Sequence, residues 1–175
     1  MGEPSAGSFE ELAMPLFDSL YNFAGWLTGS REEAEDLVQE TYLKALKGFS
    51  SFQQGTNFRA WIFRILRNAF LTSRTGLKAT RTVPLESDDE ETAVASATME
   101  TPESILLGRA SQEAIQAALG KLPVIFREVL LLSDVEEMSY QEISETVSIP
   151  IGTVMSRLYR ARRAMREELQ GASNG

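Results

Sequence analysis

Apolar residues recur every three to four positions from Phe9 to Arg74, the period of a helix with one buried face. Leu16, Leu20, Phe23, Ala24 and Leu27 form the first stripe. Pro15 kinks or restarts the helix that carries it, and Thr28-Gly29 ends it. Ser30 opens a second helix, with Glu33 placed to complete a capping box. Its buried stripe is Ala34, Leu37, Val38, Tyr42, Ala45 and Leu46, and Gly48 closes it. After a loop over 50–57, a third helix turns Phe58, Trp61, Ile62, Ile65, Leu66, Ala69 and Phe70 inward.

Between about Gly76 and Thr101 the periodicity stops, and Ser, Thr, Asp, Glu and Ala dominate, the composition of a linker. Thr101-Pro102-Glu103 reads as a helix start. Ile105, Leu106, Ile115, Ala118 and Leu119 follow it, up to Gly120. Pro123 begins a helix bearing Phe126, Val129, Leu130 and Leu131, which breaks at Asp134-Val135-Glu136-Glu137. Ser139-Tyr140-Gln141-Glu142 is a second capping box, with Ile143 and Val147 inward. A tight turn at Ser148-Ile149-Pro150 leads to a long helix carrying Val154, Leu158, Ala161, Met165 and Leu169. Two helices joined so closely, the second one basic, make a helix-turn-helix. The fold class expected is therefore all-α: two small helical domains over 9–75 and 104–170, joined by a flexible acidic linker over 76–103.

The 175 residues include no Cys and no His. That removes disulfides, thiolate nucleophiles, imidazole bases and the usual zinc ligands. Neither a phosphate-binding loop nor a nucleophile elbow is present, so no cofactor, metal or catalytic residue is assigned and the chain is not expected to be an enzyme. No apolar run approaches the roughly 20 residues of a membrane span, and the first residues lack a signal-peptide layout. A cytoplasmic protein without a membrane partner is expected.

A net charge of −8 sits badly with nucleic-acid binding until it is mapped along the chain. The first 49 residues are acidic, and residues 86–103 carry acids alone. Residues 55–81 hold Arg59, Arg64, Arg67, Arg74, Lys78 and Arg81 without one acid, and the final helix gathers Arg157, Arg160, Arg162, Arg163 and Arg166. DNA responds to potential within about a Debye length, so two such clusters can bind it despite the total.

Three constellations carry candidate chemistry. In the helix-turn-helix the second helix enters the major groove. Met155, Ser156, Tyr159 and Arg160, with Thr153 beside them, lie opposite the buried stripe; Arg160 suits a guanine, and Met155 and Tyr159 suit thymine methyls. Arg157, Arg162 and Arg163 are expected on phosphates, which position without specifying. The second constellation mixes aromatics and cations as single-stranded DNA requires: Asn57, Phe58, Trp61, Phe63, Arg64, Arg67 and Asn68. Phe58 and Trp61 fall on the apolar stripe and read first as core. Phe63, off the stripe, and Asn68 are the more telling positions. The third is Asp36, Gln39, Glu40 and Leu43, a polar patch with an apolar centre, by itself what any solvent-facing helix shows.

On these residues alone the chain could be a factor that touches DNA only with a partner, a free-standing helix-turn-helix regulator, or a hydrolase built on acidic groups. A free regulator needs two-fold symmetry, and no heptad zipper is present. It also leaves the cationic aromatic element unexplained.

The segments Asp36-Leu-Val-Gln-Glu-Thr41, Asn57-Phe-Arg-Ala-Trp-Ile-Phe-Arg-Ile-Leu-Arg-Asn68, Leu122-Pro-Val-Ile-Phe-Arg127, and Ser139-Tyr-Gln-Glu-Ile143 with Ile151-Gly-Thr-Val-Met-Ser-Arg-Leu-Tyr-Arg160, in this order, resemble the sigma-70 family in its extracytoplasmic-function (ECF) branch. The resemblance implies a transcription initiation factor. Its first domain would bind RNA polymerase core through Asp36, Gln39, Glu40 and Leu43 on the coiled coil of the largest subunit. The same domain would capture an unpaired base of the promoter minus-ten element with the Gln53–Asn57 loop and Asn68. The second domain would read the minus-thirty-five element beside the polymerase flap, and the linker would thread toward the RNA exit path. Gly152-Thr-Val-Met-Ser-Arg-Leu158 with Gln54-Gly-Thr-Asn57 is similar to the SigH/SigR-like subgroup, which implies a stress regulon and an anti-sigma factor of zinc-binding type. Met155 stands where many ECF factors have Arg, so their promoter preference does not carry over.

Overall fold

The computed structural model describes residues 4–53, 55–75 and 111–174. The expected linker, the start signal at Thr101-Pro102 and the stripe positions Ile105 and Leu106 lie outside them, as does Gln54. The described residues form helices joined by short turns, without a strand among them, and fall into two compact units. Among them no helix is long and apolar enough to cross a membrane.

The first unit is built from α1 (Pro4–Ala13), a 3-10 turn (Met14–Leu16), α2 (Phe17–Thr28), α3 (Arg31–Gly48), a second 3-10 turn (Phe49–Ser51) and α4 (Phe58–Thr75). The first kink falls at Pro15, whose missing N–H and ring interrupt the α-helical ladder. Gly29 ends α2 with φ 74, a left-handed conformation a side chain would strain. The helices pack α2 on α3 and α3 on α4, and the core is Leu20, Phe23, Leu27, Ile62, Phe63, Leu66 and Phe70, each almost wholly buried. Each such large side chain contributes roughly 1.5–3 kcal/mol of burial.

Two expectations change here. Leu46 is 55% exposed and does not belong to the stripe; at the C-terminal end of α3 that position has turned away from the core. Phe63, expected off the stripe, has no exposed surface and lies 5.4 Å from Phe23, ring to ring. Its place beside Ile62 widens the buried face of α4 beyond a narrow stripe.

The second unit holds α5 (Gln112–Lys121), α6 (Val124–Leu130), a π-helical turn (Leu131–Val135), α7 (Tyr140–Val147) as far as Ser144, and α8 (Ile151–Asn174). Both α5 and α6 pack on α8. Ser111 caps α5 by accepting from Ala114 N at 3.1 Å. The apolar run continues past α6 through Leu131 and Leu132 into the π turn, which ends as Glu137 takes φ 57.

Candidate nucleic-acid interface

The helix-turn-helix begins with a complete capping box. Ser139 Oγ accepts from Glu142 N at 3.0 Å, and Glu142 Oε1 accepts from Ser139 N at 3.0 Å, so two helix-end donors are satisfied reciprocally. At the other end of α7, Ser148 turns left-handed (φ 59) and donates its N–H to Ser144 O. Ile149 N also donates to Ser144 O, at 3.2 Å, while Ser144 Oγ donates to Ile149 O at 2.5 Å. Pro150 O then accepts from Thr153 N and Val154 N at 2.9 and 3.0 Å, starting α8. The turn is fixed by hydrogen bonds at every residue, so the angle at which α8 leaves it is fixed too.

Along α8, Val154, Leu158, Ala161 and Met165 have no exposed surface. The opposite face carries Met155 and Tyr159, each 47% exposed, with Arg160 and Arg163 also exposed. Thr153, Ser156 and Arg157 are half-buried at its margin. Arg163 Nε lies 3.6 Å from Glu167 Oε2 in an open pair that solvent screens. Arg162 departs from the expected phosphate-facing position. Its Nη2 donates to Asp134 Oδ1 at 2.9 Å and to Ser133 Oγ at 3.3 Å, turned back against the π turn. Burial pulls this guanidinium's pKa down, but the hydrogen bond and charge of Asp134, helped by Tyr140, outweigh it and leave it above its ordinary value.

In the first unit, Asn57 caps α4: its Oδ1 accepts from Ala60 N at 3.0 Å. Thr56 folds the preceding loop by donating from Oγ1 to Gln53 O at 2.6 Å, and Gly55 turns it with φ 92. Phe58 is 7% exposed and belongs to an aromatic cluster with Phe9, Phe49, Phe52 and Trp61, in which Phe58 and Trp61 are 5.4 Å apart and Phe52 and Trp61 5.0 Å apart. Trp61 alone of these is only half-buried. It shares a helix face with Asn57, Arg64 and Asn68, spaced at whole turns. Arg64 and Asn68 are exposed, and Arg67 Nη1 donates to Asn68 Oδ1 at 3.3 Å. An indole edge, guanidinium groups and a carboxamide thus meet on one side of α4, the groups that take an unstacked base and its backbone. Phe63 is not among them.

On α3, Asp36, Gln39 and Glu40 are exposed and surround Leu43, 61% exposed. Glu40 pairs with Lys44 at 3.0 Å. The exposed Leu46 extends the apolar centre by one turn, which the sequence reading had assigned inward.

Comparison with known proteins follows the same division. The sigma-70 region 2 family matches residues 13–80, and the sigma-70 region 4 family matches residues 112–165. The ECF RNA polymerase sigma factor EcfG of Rhodopseudomonas palustris is 36% identical over 91% of this chain and 83% of its own length. The chain belongs to the ECF sigma factors of the sigma-70 family. A second relative, the ECF sigma factor SigE of Mycolicibacterium smegmatis, is 35% identical over 93% of the chain, which spans 62% of that protein. Among solved structures, the sigma factor RpoE of Bartonella quintana, in complex with the anti-sigma factor NepR, superposes with a TM-score of 0.71, 29% identity and coverage of 93% and 97%. CnrH in complex with the cytosolic domain of CnrY has the same fold, with a TM-score of 0.66 over 95% of this chain and 90% of its own.

In this sigma factor the region 2 match takes in the α3 patch and the α4 face, and the region 4 match takes in the helix-turn-helix. Sequence reasoning missed the π turn and the carboxylate of Asp134 inside it. One signal was available: an acid two residues after Leu130-Leu131-Leu132 is placed where burial demands a partner.

Proposed function

We infer that this chain recruits RNA polymerase core to promoters and starts transcription there, doing no catalysis of its own. The observation that carries the reading is the pairing of two unlike cationic faces, one on each unit. The α4 face mixes Trp61, Arg64, Arg67 and Asn68 and suits an unpaired strand; the α8 face presents Met155, Tyr159 and Arg160 at a width that suits the major groove. On this reading the domain over 9–75 engages core polymerase and the minus-ten element, the segment over 76–103 is the linker, and the domain over 104–170 reads the minus-thirty-five element. The patch of Asp36, Gln39, Glu40 and Leu43 is the polymerase contact, and its exposed leucine surrounded by acids offers an apolar anchor with a charged rim.

Function in the cytoplasm follows from these partners. Control by an anti-sigma factor is supported by the likeness to RpoE bound to NepR. The finer assignment, a SigH/SigR-like factor serving a stress regulon and held by a zinc-binding anti-sigma factor, rests on Gly152-Thr-Val-Met-Ser-Arg-Leu158 and Gln54-Gly-Thr-Asn57. An acidic chain of net charge −8 weakens its own non-specific attraction to DNA, so tight promoter binding is left to the complex with polymerase.

The test is co-purification with core polymerase. Wild type is expected to form a stable stoichiometric complex, and Leu43→Asp to lose most of it while keeping its helical content. A wild-type chain that never associates with core would end this reading.

A further inference from the structure

The cations of α8 do not all face outward. Arg162 reaches back to Asp134 and Ser133 in the π turn, at 2.9 and 3.3 Å. Its side chain is 20% exposed, and that of Asp134 is completely buried. Tyr140, the first residue of α7, also helps hold the pKa of the same guanidinium up. One side chain therefore ties the second helix of the helix-turn-helix to the π turn that precedes the first. A phosphate ligand has to offer its donors to solvent, and this one spends its Nη2 on two protein oxygens.

We propose that Arg162 and Asp134 are positioning residues for promoter reading: the buried pair sets the rotation of α8 and so the aim of Met155, Ser156, Tyr159 and Arg160, and Arg162 makes no phosphate contact. The proposal rests on the reading of the second unit as the minus-thirty-five domain. Its physical basis is tolerance. A bidentate base contact needs its donors held within about 0.5 Å and 10–20°, and a helix seated only on Val154, Leu158, Ala161 and Met165 can roll on that apolar seam. A directional charge-assisted hydrogen bond stops the roll.

The experiment measures binding of minus-thirty-five duplexes, matched and singly mismatched, by the full chain in complex with core polymerase at several salt concentrations. Asp134→Asn is expected to erode discrimination at the base pair under Arg160 by about tenfold, within the worth of one bidentate contact, while the slope of log affinity against log salt stays at the wild-type value. Arg163→Ala, the comparison, is expected to lower that slope by about 0.9 with discrimination unchanged. If Arg162 were a phosphate ligand, Asp134→Asn would release it, and binding would be equal or tighter with discrimination intact; that result overturns the proposal.

Breaking one half of a buried pair can unfold a domain, whereas replacing both halves by apolar groups is tolerated. The double variant Arg162→Met/Asp134→Leu therefore carries the test if the single variant melts. It is expected to fold and to keep the wild-type salt slope, and a slope lowered by about 0.9 would overturn the proposal. A wild-type complex indifferent to the minus-thirty-five sequence would defeat the underlying reading and the proposal together, and the wild-type arm alone reveals it.

Discussion

The carboxylate of Glu33 lies 3.2 Å from the guanidinium of Arg74, joining the first turn of α3 to the last turn of α4. Arg74 in turn stands 5.0 Å over the ring of Phe70. Glu33 was expected to fold back on Ser30 and complete a capping box, but only half of that box forms: Ser30 Oγ accepts from Glu33 N at 3.2 Å, while Ser30 N donates to Thr28 Oγ1 at 3.1 Å. With Thr28 satisfying the donor, the Glu33 side chain is released for Arg74. Both partners are about half exposed, so Glu33→Gln is expected to cost less than about 1 kcal/mol, and less still in high salt. Urea denaturation at low and high ionic strength checks this.

The complete box at Ser139 and Glu142 behaves differently. Ser139→Ala is expected to destabilise the second unit by about 1 kcal/mol, insensitive to salt because a neutral hydroxyl makes the bond. Thermal unfolding of the chain and its variant at two salt concentrations separates this cap from the half-formed one at Ser30.

Phe63 and Trp61 were read from sequence in the wrong order of interest. Phe63→Ala empties a fully buried site and is expected to cost about 3–5 kcal/mol, visible as a large drop in the unfolding midpoint. Trp61→Ala, at a half-buried edge, is expected to spare most of the stability and to remove about 1–3 kcal/mol of single-strand binding, the worth of one stacked base. Denaturation midpoints set beside binding of a minus-ten single strand by the polymerase complex will tell the two roles apart.

Gly152 opens the exposed face of α8, yet a Cβ added there meets no heavy atom within 4 Å. Nothing among the described residues requires a glycine at this point. A close approach of the DNA backbone to the N-terminus of a groove-bound helix would favour one. Gly152→Ala is expected to leave the free chain as stable or more stable by up to about 1 kcal/mol, and to weaken minus-thirty-five binding. Unchanged binding with raised stability would remove this contact from the account.

Tyr42 donates its hydroxyl proton to Ala13 O at 2.7 Å, tying α3 to the end of α1. Burial, with a smaller contribution from the charge of Asp18, pushes its pKa up to about 12 from an unfolded value of 10.0. A pKa raised by folding means that this bond's stabilisation is intact below pH 10 and is lost as pH climbs toward 12. Stability measured from pH 9 to 12 is expected to fall in that window for wild type, and to fall less for Tyr42→Phe.

Much of this was legible in the sequence, for physical reasons that also mark its limits. Helix ends are written locally: Pro15, Gly29, Ser30, Ser139 and Ser148 each act on their own few neighbours, and each sits where those neighbours required. Faces are written by period, so Val154, Leu158, Ala161 and Met165 were readable as one buried seam. Periodicity does not reveal how wide a face is, and so Phe63 was assigned outward and Leu46 inward. Nor does composition reveal which of several arginines a buried acid has claimed. Arg162 and Asp134 are 28 residues apart, and only the packing of α8 against the π turn makes them a pair.

This chain is expected to confer promoter-specific initiation on a polymerase that lacks it. Run-off transcription with core enzyme, on a template library varied at the minus-ten and minus-thirty-five elements, tests it most directly. Transcripts are expected only when the chain is added, with strong dependence on both elements and with the minus-thirty-five dependence weakened by Arg160→Ala. Core enzyme that gives the same transcripts with and without the chain would contradict the account.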